Sequence, residues 1–196
     1  VDKFDTYISD ELKKNNDIIF HKMEIPPLLN IEDNSIDFVV TFQVIEHIQK
    51  DKFFLQEIHR VLKPGGKLLL TTPNKLMSLS RNPWHIREYT PVEMKNILDK
   101  YFNENSVNGV YGNDLVMDYY QKNKIAVRKI TRFDIFNLQY ILPRWLLQIP
   151  YDILNRLNRK KLKSQNEKVV QSVTVEDYFI KESTENCLDY FCVATK

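Results

Sequence analysis

The clearest alternation of polar and apolar positions runs from residue 31 to residue 74. Asp33-Asn34-Ser35 is a cluster of side chains that hydrogen-bond their own backbone, and it predicts a turn. Asp37 to Phe42 (DFVVTF) is nearly continuous in apolar residues, the pattern of a strand buried on both faces of a parallel sheet. Phe54, Leu55, Ile58, Val61 and Leu62 then recur at helical spacing and predict one buried helix face. Lys63-Pro64-Gly65-Gly66 ends that helix, because proline cannot continue it and glycine admits a left-handed turn. Leu68 to Thr72 returns as a second strand. The stretch is one βαβ unit, and such units hold ligands at the carboxyl ends of their strands.

The flanks are weaker. Ile18-Ile19-Phe20 reads as a short buried strand before the turn-like Glu24-Ile25-Pro26-Pro27. After the second strand comes the loop TPNKLMSLSRNPWHIREYT, and Thr90-Pro91 opens a helix over 92–100 with Pro91 in its first turn. Val107 to Tyr111 and Asp189 to Thr195 predict strands of an antiparallel C-terminal edge hairpin. Between them, residues 115–168 are patterned as helix, interrupted by Pro143 and Pro150. The expected fold is α/β, a Rossmann-like doubly wound and mostly parallel sheet. Residues 1–196 form a single domain, with 115–168 a helical insertion or lid before the last strand.

Glycine sharpens this expectation. The four glycines are Gly65, Gly66, Gly109 and Gly112. A doubly wound nucleotide-binding domain needs a glycine-rich turn after its first strand, where backbone approaches the ligand. The reading is therefore of an N-terminally truncated domain whose first strand and helix are missing, with Val1-Asp2 as the end of the second strand.

At 196 residues the chain suits one domain with a real core. Its 43% hydrophobic and 28% charged residues are those of an ordinary soluble protein. No apolar run approaches the roughly 18 residues of a membrane span, and VDKFDTYISDELKK is no signal peptide. Cys187 and Cys192 are the only cysteines and read as reduced packing residues. These features predict a cytoplasmic protein. A net charge of +2 makes nucleic acid an unlikely partner.

The wording VIEHI, then EI-His59-RVLKPGG, then TPN resembles class I S-adenosylmethionine-dependent methyltransferases of the ubiquinone-type and glycan-associated group. The resemblance covers roughly residues 1–112 and the terminal strand. It implies S-adenosyl-L-methionine as cofactor and three groups of contacts at strand ends. Asp2 would accept the ribose hydroxyls, and Met23, Glu24 and Ile25 would meet the adenine. Phe42, Gln43 and Val44, with Glu46 and His47 behind them, would lie along the methionyl part. The absence of the glycine loop is the departure from the pattern.

Methyl transfer asks the protein to align donor and acceptor and often to take a proton. His85, in Asn82-Pro83-Trp84-His85-Ile86-Arg87-Glu88-Tyr89, is the sharper candidate base, because imidazole accepts protons near neutral pH. His47 is the second, and its bland alternative is to cap or orient the next helix. Trp84 and Tyr89 would wall an acceptor pocket, and Arg87 would hold an anionic group. The bland alternative is that His85 and Arg87 pin the loop. The aromatic tetrad of adenine-N6 enzymes and the Pro-Cys pair of cytosine-C5 enzymes are both absent. No metal site is expected, Glu46-His47 being the nearest thing to one.

Residues 128–163 hold nine Lys or Arg against Asp134 and Asp152, interleaved with aromatic and aliphatic residues. Such basic amphipathic helices lie on anionic membrane surfaces, lid active sites, form dimer faces or simply cover their own domain. The first of these would make the protein peripheral to the inner membrane surface. The function expected is methyl transfer to oxygen or nitrogen of a small-molecule, lipid or sugar acceptor. The competing reading is a non-catalytic methyltransferase-like module that binds partners or a membrane through 128–163.

Overall fold

A computed structural model describes Asp17, residues 19–165 and residues 171–196. Five strands form one mixed sheet: β1 (Ile36–Phe42), β2 (Leu62–Pro73), β3 (Glu104–Gly112), β4 (Tyr178–Glu182) and β5 (Asp189–Thr195). Their order across the sheet is β1-β2-β5-β3-β4. β1 and β2 are parallel, the product of the βαβ crossover, whereas β5 runs antiparallel between β2 and β3. The C-terminal unit thus differs from a simple edge hairpin: the last strand is inserted centrally, and β4 becomes the edge through its pairing with β3.

Helix α1 (Asp51–Val61) buries Phe54, Leu55, Ile58 and Val61, and Leu62 is buried just beyond it. The Pro-Gly-Gly segment does not interrupt the second strand as a separate loop; it bulges out of it. The β1–β2 register jumps from Ile36↔Leu62 to Phe38↔Lys67. Gly65 turns with φ +80°, and a Cβ on Gly66 would stand 2.9 Å from the Lys63 carbonyl oxygen. Helix α2 (Pro91–Leu98) starts at a capping box in which Thr90 and Glu93 satisfy each other's backbone N–H groups.

Both helices pack on one face of the sheet. Leu68, Leu70, Tyr190, Cys192 and Ala194 meet Phe54, Ile58, Met94 and Leu98 there in one core. The opposite face carries Phe38, Val40 and Phe42, with Leu69, Phe191 and Val193 beside them. Here the reading of β1 as buried on both sides is corrected. Phe38 is 64% and Val40 57% exposed, because no described helix covers that face. The short strand at Ile18-Ile19-Phe20 is corrected too. Ile19 is 78% exposed and lies in no strand, with no described neighbour to pair with it, and Ile18 falls outside the described residues.

After β3 come α3 (Asp114–Thr131), the short α4 (Leu138–Ile141) and α5 (Arg144–Gln165). Pro143 separates α4 from α5, but Pro150 lies inside α5 without ending it. A proline costs a helix one hydrogen bond and some straightness, and the apolar stripes on either side of this one carry the helix past it.

Candidate active site

The site forms where β1 and β2 end. Gln43 follows β1 with a left-handed φ of +54°, and its N–H still donates to the Thr71 carbonyl of β2. This turn sends the chain into a single 3-10 turn, Ile45–His47, above the sheet. The Gln43 amide reaches across the rim and donates to Asp189 Oδ1 at 3.3 Å. Burial raises the Asp189 carboxyl above its ordinary value, and the Gln43 bond opposes that shift.

Glu46 is 1% exposed. Its carboxylate accepts from Thr72 Oγ1 at 3.0 Å, and its backbone carbonyl accepts from Ile86 N at 2.6 Å and Arg87 N at 3.2 Å. The loop carrying His85 is thereby fastened to the turn carrying His47. His47 Nδ1 lies 3.0 Å from the Trp84 carbonyl. A carbonyl only accepts, so Nδ1 carries a proton. His85 Nδ1 lies 2.5 Å from Glu88 Oε1, and the Glu88 carboxylate also accepts from Ser78 Oγ. The two imidazoles meet edge to face with centroids 4.9 Å apart.

His85 and Glu88 line a cavity of about 1010 Å³ between the 78–88 loop and helices α3–α5. The chain from Met77 to Trp84 is tied to those helices at three residues. Arg81 donates to the Gln139 carbonyl, Trp84 Nε1 donates to Asp152 at 3.0 Å, and Tyr120 Oη donates to the Met77 carbonyl at 2.8 Å.

The remaining predicted residues fall elsewhere. Arg87 donates to Asp51 Oδ2 at 3.0 Å, and so does the Tyr89 hydroxyl at 2.8 Å. Tyr89 is 1% exposed, and burial together with Asp51 pushes its phenol well above its ordinary value. It is a core residue, which corrects the expectation that it walls an acceptor pocket. Trp84 and Arg87 are not among the cavity's lining residues either; they hold the loop in place. Ile25 packs on the core, Met23 is half-buried and Glu24 exposed. Asp2 lies outside the described residues.

Three residues escaped the sequence reading. Glu88 stands three residues after His85, a spacing open to inspection. Asp51 reads as a solvated helix start, and only the fold brings Arg87 and Tyr89 to it. Asn74 is buried and donates to the carbonyls of Glu185 and Cys187 while accepting from Leu76 N and Tyr190 Oη. Glu46, His47 and His85 also place one ligand-type atom each within 4.8 Å of one another, a closer grouping than the sequence suggested.

Residues 2–70 match the family model for a methyltransferase domain. A stretch of 76 residues is 43% identical to a probable S-adenosylmethionine-dependent methyltransferase of Mycolicibacterium smegmatis, covering 36% of this chain and 30% of that protein. Another of 73 residues is 32% identical to the mitochondrial ubiquinone biosynthesis O-methyltransferase of Dictyostelium discoideum, covering 37% of this chain and 22% of that one. Among solved structures, an S-adenosylmethionine-dependent methyltransferase from Thermotoga maritima, described as a possible histamine N-methyltransferase, aligns with TM-score 0.49 and 16% identity. The alignment covers 86% of this chain and 59% of that one. The similarity is thus to S-adenosylmethionine-dependent methyltransferases, the family match lying in residues 2–70. The chain spans less than a third of the length of these curated relatives.

Proposed function

We propose that this polypeptide serves S-adenosylmethionine-dependent methyl transfer to an oxygen or nitrogen of an acceptor held in the cavity. The observation that carries the reading is the His85–Glu88 pair, set in the cavity wall and fastened beside the carboxyl ends of β1 and β2. The described residues fit one wall of the cofactor. Phe42 is half exposed at the end of β1, Val44 is half-buried, and Gln43 is held across the rim by Asp189. Asp2 remains the proposed ribose partner, and Met23, Glu24 and Ile25 the proposed adenine contacts.

When bound, the cofactor supplies a methyl group activated by a sulfonium. The protein's part is positioning and proton removal. Glu88 holds the Nδ1–H of His85 and stabilises the imidazolium, leaving Nε2 to take the acceptor's proton as its lone pair takes the methyl. His47, held by Trp84 and edge-on to His85, fixes the orientation of that ring.

Calorimetric titration of S-adenosylhomocysteine into the chain, alongside a methyl-release assay, tests the reading. His85→Ala is expected to keep cofactor affinity and lower turnover by on the order of 10²–10⁴-fold, the usual contribution of a positioned base. Unchanged turnover eliminates His85 as that base. A folded protein that binds no S-adenosylhomocysteine favours the non-catalytic module.

A further inference from the structure

Helix α5 is apolar on two sides. Leu147, Tyr151, Leu154, Asn158 and Leu162 recur every three or four residues and line the cavity. Trp145, Ile149, Ile153 and Leu157 recur every four residues and are exposed, Trp145 at 70% and Ile149 at 71%. At 100° per residue, this second stripe points away from the cavity, and Arg156 and Lys160 fall within it. A surface helix ordinarily has one apolar stripe, which it buries. Phe133, Ile135, Phe136 and Ile141 of the preceding segment are exposed as well. So many exposed large apolar residues in one stretch of chain mark an interaction surface.

The charges around it have one sign. Residues 128–161 are rich in Arg and Lys, with Asp134 and Asp152 as the only acids. Both acids are engaged by hydrogen bonds, Asp134 half-buried and Asp152 exposed. Asp134 accepts from the backbone N–H groups of Leu138 and Gln139, and Asp152 accepts from the Trp84 indole. What faces outward is mostly apolar and cationic, the complement of an anionic bilayer. No described helix is long and apolar enough to cross a membrane, so the surface suits lying on one.

The cavity behind the same helix is as unusual. Its volume of about 1010 Å³ stands at the top of the roughly 300–1,000 Å³ range of small-molecule sites. Val127, Ile130, Leu138, Leu142, Leu147 and Leu154 give it an apolar wall, and the polar pair His85–Glu88 belongs to the same lining. A small polar acceptor has no use for that apolar wall, whereas a hydrocarbon chain fills it.

We propose that the acceptor is a membrane lipid. Helices α3–α5 lie on an anionic bilayer through the outer stripe, and the cavity takes the lipid's acyl or isoprenoid chain while its head group reaches His85. Only the chemistry at the head group rests on the methyl-transfer reading; bilayer docking and chain binding are measured without it.

The test uses the full chain. Co-sedimentation is measured at low salt with phosphatidylcholine vesicles, with and without phosphatidylglycerol, and chain binding is followed by the fluorescence of cis-parinaric acid. The expected results are sedimentation only with phosphatidylglycerol, weakened by added salt, and saturable parinaric acid binding. Ile149→Glu with Ile153→Glu should cut vesicle binding at least tenfold and leave parinaric acid binding intact. Val127→Trp with Leu147→Trp should do the reverse, and Leu154→Lys serves if that pair unfolds. Absence of vesicle binding at low salt overturns the proposal, as does parinaric acid binding that ignores both cavity variants. A dimer dissolved by Ile149→Glu with Ile153→Glu, without vesicle binding, assigns the stripe to a second copy instead. Failure of the methyl-transfer reading shows separately, as no S-adenosylhomocysteine binding in a protein that still binds vesicles.

Discussion

At the scale of the residue, polar groups that look interchangeable in the sequence divide into those that hold and those that act. Asn74 holds. Its amide and carbonyl make four bonds, three of which join the end of β2 to the 185–190 segment. Asn74→Ala strands several of those partners in the core, and the cost is expected at about 3 kcal/mol by urea denaturation. In the proposed reaction Glu88 serves the chemistry through His85. Glu88→Gln keeps shape but loses the charge that stabilises an imidazolium. Turnover is expected to fall at least tenfold while S-adenosylhomocysteine affinity stays put. A loss of affinity equal to the loss of turnover would make Glu88 a folding residue. The place of His85 on the rim was legible, because its loop follows the second strand of the βαβ unit. Asp51 was not, since its partners lie 36 and 38 residues away and its position reads equally well as a favourable charge in a helix's first turn.

At the scale of the element, α1 shows both what periodicity carries and what it omits. Its apolar face was readable to the residue, because the 3.6 period leaves few other solutions. Its polar face was not, yet that face anchors the 28–33 segment. Glu57 accepts from Leu28 N, while Arg60 donates to the carbonyls of Leu28 and Ile31 and to Asp33. The Arg60 guanidinium beside Glu57 holds its carboxyl below the ordinary 4.5. A carboxyl whose folded pKa is depressed adds stability above its unfolded pKa, and that contribution is lost as pH falls through the folded value. The parent should therefore lose stability relative to Glu57→Gln as pH drops below about 4.5, with the two differing most near neutrality. Chemical denaturation at a series of pH values checks it, and parallel curves would remove Glu57 from the acid response. The same reasoning explains β1. An apolar run announces that something covers it, but the run is silent about which element does so, and one of its faces is open among the described residues.

At the scale of the molecule, that open face is the dominant liability. Among the described residues the core lies on one side of the sheet only, between β-strands and helices α1 and α2. On the other side Phe38, Val40 and Phe42 form a row on β1, a strand whose only described partner is β2. An apolar face beside an edge strand with no second partner among the described residues is the geometry that recruits other chains. Self-association that rises with protein concentration is expected, distinct from any contact made by α5. Phe38→Thr with Val40→Thr keeps β-branched character on the strand while removing most of the exposed hydrocarbon. Substitution at exposed positions away from packed partners changes stability by roughly 0.5 kcal/mol or less. The double variant should thus melt within a few degrees of the parent yet scatter less light and bind less of an apolar-surface dye. A large fall in melting temperature would instead mean that this face is covered in solution, by chain beyond the described residues or by a second copy, and that the two side chains belong to a core.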